Sequence, residues 1–136
     1  MGTAAQHLKK AEHNVRFLLT ISDDYADWLA TAAFYAAVHY LEAMFAEQGI
    51  HSRDHEGRKA FVRRNYPSLK KAYNALYNAA LDSRYESEEH SLPAGEVRQE
   101  LIARRLRHIQ SYVLSHSQFC RENAAIEPRT LDRDGP

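Results

Sequence analysis

Two pairings of arginine with histidine are the residues of this chain best suited to chemistry. Arg84 precedes His90 with five residues between them, and Arg53, His55 and Arg58 fall close together shortly after Gly49. A guanidinium neutralises a phosphate and the charge that develops on it, while an imidazole with a near-neutral pKa can move the proton of a ribose hydroxyl. Together they suffice for metal-independent RNA cleavage. The second group stands at the start of a short helix, where free backbone N–H groups also favour an anion.

Other chemistries lack their residues. There are eight histidines, yet no HExxH and no pair of Glu-x-x-His motifs. His39 with Glu42 three residues on supplies only one half of a di-iron arrangement. No metal and no other cofactor is expected. Cys120 is the single cysteine, which excludes an internal disulfide and a cysteine-based zinc site and fits a reducing cytoplasm. Without an identifiable activating neighbour it reads as a packed thiol near a helix end. No glycine loop of the GxxxxGKS or GxGxxG kind is present.

Lysine plus arginine and aspartate plus glutamate both number 18, so global charge selects no partner. Its distribution is uneven. His51 to Lys71 holds seven lysines and arginines against Asp54 and Glu56, whereas Asp82 to Glu100 holds six acids against Arg84 and Arg98. The basic stretch can attract phosphates, or it can be a solvated helix face complemented by the acidic one.

The elements that must position these residues are helices. Asp24 to Gly49 is the organising stretch, roughly 25 residues or about 37 Å of helix. Its alanines allow close approach, and Trp28, Phe34, Tyr35, Tyr40, Met44 and Phe45 are expected to fill the spaces between helices. His39 lies near its centre, either as a core histidine bonded to a neighbour or as part of a cleft with His55, Arg58 and Arg84. Before it, Thr3 can cap a helix with Ala4, Leu8, Ala11, Val15 and Leu18 inward, running to about Ile21. After it come a short helix from Glu56 to Arg64 and another that starts at Pro67 and reaches about Arg84 or Tyr85. A long last helix is expected from Ser91 and Pro93 to about Asn123, with Val97, Leu101, Ile102, Leu106, Ile109, Val113 and Cys120 inward. Residues 124–136 lack periodicity and are expected to be disordered.

No segment alternates as a strand would. The reading is therefore one domain over residues 1–123, an all-α, up-and-down antiparallel bundle of four long helices plus one short helix. No segment reads as crossing a membrane: the longest apolar run is interrupted by His39 and Glu42.

Several of these residues resemble the HEPN domain, and more narrowly its small stand-alone prokaryotic members. The likeness rests on AAFYAAVHYLEA, a following glycine, His55 with Arg58 three residues on, and a later Tyr73-x-x-Leu76 with Ser83-Arg84-Tyr85. It covers about residues 5 to 118. The resemblance implies a helical bundle, often a homodimer, that binds nucleotide or RNA, many members being ribonucleases of toxin–antitoxin, CRISPR-associated or other defence systems. Catalytic members carry an arginine, four to six residues, then a histidine near the junction with the last helix. Arg84 and His90 match that spacing, as phosphate stabiliser and acid/base. Arg104 and His108 are one residue too close, and Tyr85 stands where asparagine, aspartate or histidine is more usual. His39, Arg53, His55, Arg58 and Tyr85 are then the candidate nucleotide or RNA contacts. The competing reading is a non-catalytic helical interaction module, antitoxin-like or adaptor, that docks on a cognate protein partner.

Overall fold

The computed structural model describes residues 2–85 and 94–132. Among them there is no strand, and the all-α bundle read from the sequence is the architecture found. Helix α1 (Ala4–Thr20) begins in a capping box: the Thr3 hydroxyl accepts from the Gln6 amide at 3.1 Å and the Gln6 side chain accepts from the Thr3 amide at 2.9 Å. Two otherwise orphaned donors are satisfied, worth about 1 kcal/mol.

Ser22 then caps a single 3₁₀ turn, Asp23–Tyr25, and α2 follows as Ala26–Glu47. Helix α2 ends in a Schellman motif. The Ile50 amide donates to the Phe45 carbonyl at 2.8 Å and the Gly49 amide to that of Ala46 at 3.0 Å, with Gly49 at φ 77°. Glycine adopts that left-handed conformation without the steric cost of a Cβ.

Helix α3 (His55–Asn65) is capped by Asp54, whose Oδ1 accepts from the Gly57 amide at 2.7 Å. Pro67 opens a 3₁₀ turn, Pro67–Leu69, that leads into α4 (Lys70–Tyr85). The Thr3 cap, the Gly49 stop and the Pro67 start follow the local signals in the sequence, whereas α2 begins after Tyr25 without a side-chain cap.

The last helix departs from a single regular rod. After α5 (Ala94–Glu96), residues Val97–Leu106 form a π-helix, which returns to α geometry as α6 (Arg107–His116). Val97, Leu101, Ile102 and Leu106 are all buried, and the spacing of five from Val97 to Ile102 and from Leu101 to Leu106 suits turns closed over five residues. At Ser117 the chain becomes extended, and the Ser117 hydroxyl, bonded to the Cys120 amide, caps a separate short helix, α7 (Gln118–Asn123).

Helix α2 is the core. Leu29, Ala33, Phe34, Ala36, Ala37, Tyr40, Leu41, Ala43 and Phe45 have no exposed surface, and the helix packs against α1, α4, the π segment and α6. Its stretch Asp23–Glu47 is long and apolar enough to cross a membrane, but 78% of that window is buried inside the bundle.

Two expectations need correction. Trp28 is 56% exposed rather than a space-filler, and it shares an outward patch with Phe17, Ile21 and Tyr25. The reason is periodicity: Trp28, Thr31, Tyr35 and His39 follow one another at helical spacing on the face of α2 that the neighbouring helices leave partly open. Residues 124–132, expected to lack order, pack on the bundle. Leu131 in the 3₁₀ turn Pro128–Asp132 is fully buried, and Glu12 Oε2 accepts from the amides of Ala125 at 2.6 Å and Ile126 at 3.0 Å. Residues 133–136 lie outside the described part.

Candidate functional site

A seam of polar side chains runs along the less covered side of α2. At its centre Glu42, nearly buried, accepts from Nε of Arg58 at 2.9 Å, joining α2 to α3. Arg58 Nη1 reaches the Nδ1 of His55 at 2.7 Å and the hydroxyl of Tyr73 on α4 at 3.5 Å. Burial works against the Arg58 charge, but the bonds to Tyr73 and Glu42 outweigh it and raise its pKa. Burial likewise raises the Tyr73 phenol, offset in part by Arg58.

One chemical consequence is definite. A guanidinium can only donate, so His55 Nδ1 accepts and the neutral ring carries its proton on Nε2. The ring is half-buried among Phe34, Tyr35 and Tyr77, with centroid separations of 5.3, 6.3 and 6.0 Å, and Lys59 Nζ lies 5.4 Å from the centre of the Tyr77 ring.

Further along α2, His39 meets a residue the sequence reading did not nominate. His7 of α1 stacks on it, with Nδ1 to Nδ1 at 3.0 Å. One Nδ1 must donate and the other must keep its lone pair. His7 occupies a position of the α1 apolar stripe, three residues after Ala4 and four before Ala11, which is the signal that would have found it. Burial, with His7, Lys10 and Arg58 nearby, lowers the His39 pKa from 6.5 to about 4, against a smaller opposing effect of Glu42. His7 is lowered too, by burial first.

Unfolded chains therefore bind more protons than folded ones between those values, so this pair stabilises the fold fully above about pH 6.5 and loses the contribution as pH falls toward 4. With solvent screening of half-exposed rings, the loss is about 1–2 kcal/mol. Urea unfolding at pH 7 and pH 5 measures it, and His39→Gln is expected to flatten the difference.

The nominated residues thus divide. His55 and Arg58 come together with Glu42, and His39 lies one turn before Glu42 but is bonded to His7. Arg53 is exposed and does not join them: it lines a separate cavity of about 310 Å³ with His51, Asp54 and Phe61, to which neither His55 nor Arg58 contributes. Arg58 is buried and its charge balanced by Glu42, so at this site it positions His55. Arg84 and Tyr85 end α4, but their side chains, and all of His90, lie outside the described residues. Cys120 is fully buried, and burial raises its thiol pKa. Among the described residues no group of three or more histidine, cysteine or acidic side chains is placed to hold a metal ion.

Fold and seam define an all-α bundle with a polar, histidine-bearing side. Comparison of the chain with protein-family models, with curated proteins and with solved structures gives no match.

Proposed function

We propose that this chain is a HEPN-like protein that binds nucleotide or RNA, with Arg84 and His90 as the pair that cleaves RNA. The observation that carries the binding reading is His55. Arg58 holds it as the Nε2–H tautomer, partly exposed tyrosines offer faces for a base, and Lys59 over Tyr77 supplies positive charge, with Arg53 close by in sequence. The cleavage reading rests on sequence spacing.

Titration of a labelled single-stranded RNA and of a nucleoside triphosphate, followed by anisotropy and calorimetry, tests the binding. Arg53→Ala with His55→Ala is expected to weaken affinity about tenfold or more, and unchanged affinity removes His55 from the site. A sensitive RNase assay compares wild type with His90→Ala. Equal activity in the two, or none in either, removes the catalytic part.

The exposed patch of Phe17, Ile21, Tyr25 and Trp28 favours a second reading, the interaction module without chemistry. Wild-type protein with no affinity for RNA or nucleotide would leave that reading in place.

A further inference from the structure

A second place on the bundle collects positive charge, where the end of the basic stretch of residues 51–71 meets the last helix. Between the start of α4 and the end of the π segment lies a groove of about 320 Å³, lined by Ser68, Lys71, Ala72, Arg104, Arg105 and His108. No carboxylate is among its lining residues. Lys71 and Arg105 have no ion-pair partner among the described residues, and Arg104 bonds only an exposed Glu100 four residues earlier, a contact that a phosphate readily displaces. His108 Nε2 donates to the Ser68 carbonyl at 3.1 Å, which ties the two walls together and fixes the groove's width at that point.

We infer that this groove binds phosphate and, on the functional reading above, holds the sugar-phosphate backbone of RNA. Guanidinium forks match phosphate oxygens in pairs, and a lysine completes them as a point charge. The charges lie along two elements rather than around one closed pocket, which suits a chain of phosphates better than a single one. Arg63, Arg64 and Lys70, all exposed and flanking the turn that carries Ser68, extend the positive surface beyond the groove. The floor offers only Ala72 as an apolar side chain, too little for a protein segment to bury.

The test uses the full chain, ¹⁵N-labelled, titrated separately with a single-stranded oligouridylate and with tripolyphosphate while amide shifts are followed. Both probes are expected to move the amides of Lys71, Ala72, Arg104 and Arg105. Lys71→Glu with Arg105→Glu, an exposed and a partly exposed position without ion-pair partners among the described residues, is expected to weaken RNA binding about tenfold or more. It should also reduce the slope of log affinity against log salt by about 1.4, since each phosphate contact on a single strand contributes about 0.7. RNA that binds with shifts confined to Arg53 and His55, and with unchanged affinity in the double variant, overturns the groove and leaves the functional proposal standing. Tripolyphosphate shifts in the groove without RNA binding keep the phosphate site and overturn the RNA reading. No response to either probe overturns both.

Discussion

Arg58→Ala is expected to cost about 3–5 kcal/mol and to lower the thermal midpoint by roughly 10–20 °C. Arg58 is 8% exposed and Glu42 only 5%, so the substitution leaves a carboxylate in the interior with its cationic partner gone. The Tyr73 hydroxyl, also buried, loses a donor at the same time. Replacing both charges is a different perturbation. Arg58→Leu with Glu42→Leu removes two desolvated ions and substitutes apolar volume, which is often near neutral. The double variant should therefore recover most of the loss, a strong non-additivity that urea unfolding of the two single variants and the pair will measure. A cost below about 1 kcal/mol for Arg58→Ala would mean that the pair is effectively solvated.

The same variant separates folding from function. With Arg58→Leu and Glu42→Leu the bundle should stand, but the Arg58 donor to His55 Nδ1 is gone. The ring is no longer held in the Nε2–H form, and its nitrogen chemical shifts should show mixed tautomers. Ligand affinity that survives in that variant would show that the tautomer is unimportant. Affinity that falls while stability is retained assigns Arg58 a positioning role.

The local signals of the sequence were the legible ones. Thr3, Gly49 and Pro67 mark helix ends because a cap is decided by a few neighbouring residues, and all three do so in the structure, while the Asp54 cap of α3 is one the sequence reading passed over. The buried polar groups were less visible, although each occupies a position of an apolar stripe. Glu12 lies between Leu8 and Val15, Gln110 between Leu106 and Val113, and Arg98 precedes Leu101 and Ile102. What the sequence does not show is the partner that allows burial. Arg98 is bonded by Asp23 at 2.7 Å and by the Leu18 carbonyl at 3.1 Å, groups about 75 residues distant that clamp the end of α1 to the π segment. The candidate site follows the same rule: His55 and Arg58 were legible as neighbours in sequence, but their joining to Glu42 and Tyr73, and the pairing of His7 with His39, are products of packing. Trp28 departs from the space-filling expectation because a helix so rich in alanine and aromatics reads as apolar all round, and only its 28, 31, 35, 39 spacing reveals the open face.

Residues 124–132 carry the second large effect, and the reason they were illegible also fixes its size. The segment has no helical period because it is held by single anchors rather than by a face. Leu131 has no exposed surface, Arg107 Nη1 binds the Asp132 carboxylate at 2.5 Å, Gln110 Nε2 donates to the Ile126 carbonyl at 3.3 Å, and the Glu12 carboxylate takes two amides. Leu131→Ala alone should cost about 2–5 kcal/mol, the range for a large side chain deleted from a packed interior. Truncation after Asn123 removes that side chain and also leaves Glu12, 6% exposed, without its donors, adding about 1–3 kcal/mol. Glu12→Gln should weaken the full-length protein, since a neutral amide is a poorer acceptor for two N–H groups, but should cost little in the truncated chain, where the carboxylate is already abandoned. Urea unfolding of the full-length and truncated chains, each with and without Glu12→Gln, measures the cycle, and Leu131→Ala is measured beside them. If Leu131→Ala and the truncation both fall within about 0.5 kcal/mol of wild type, the segment contributes no packing and Glu12 is answered by water.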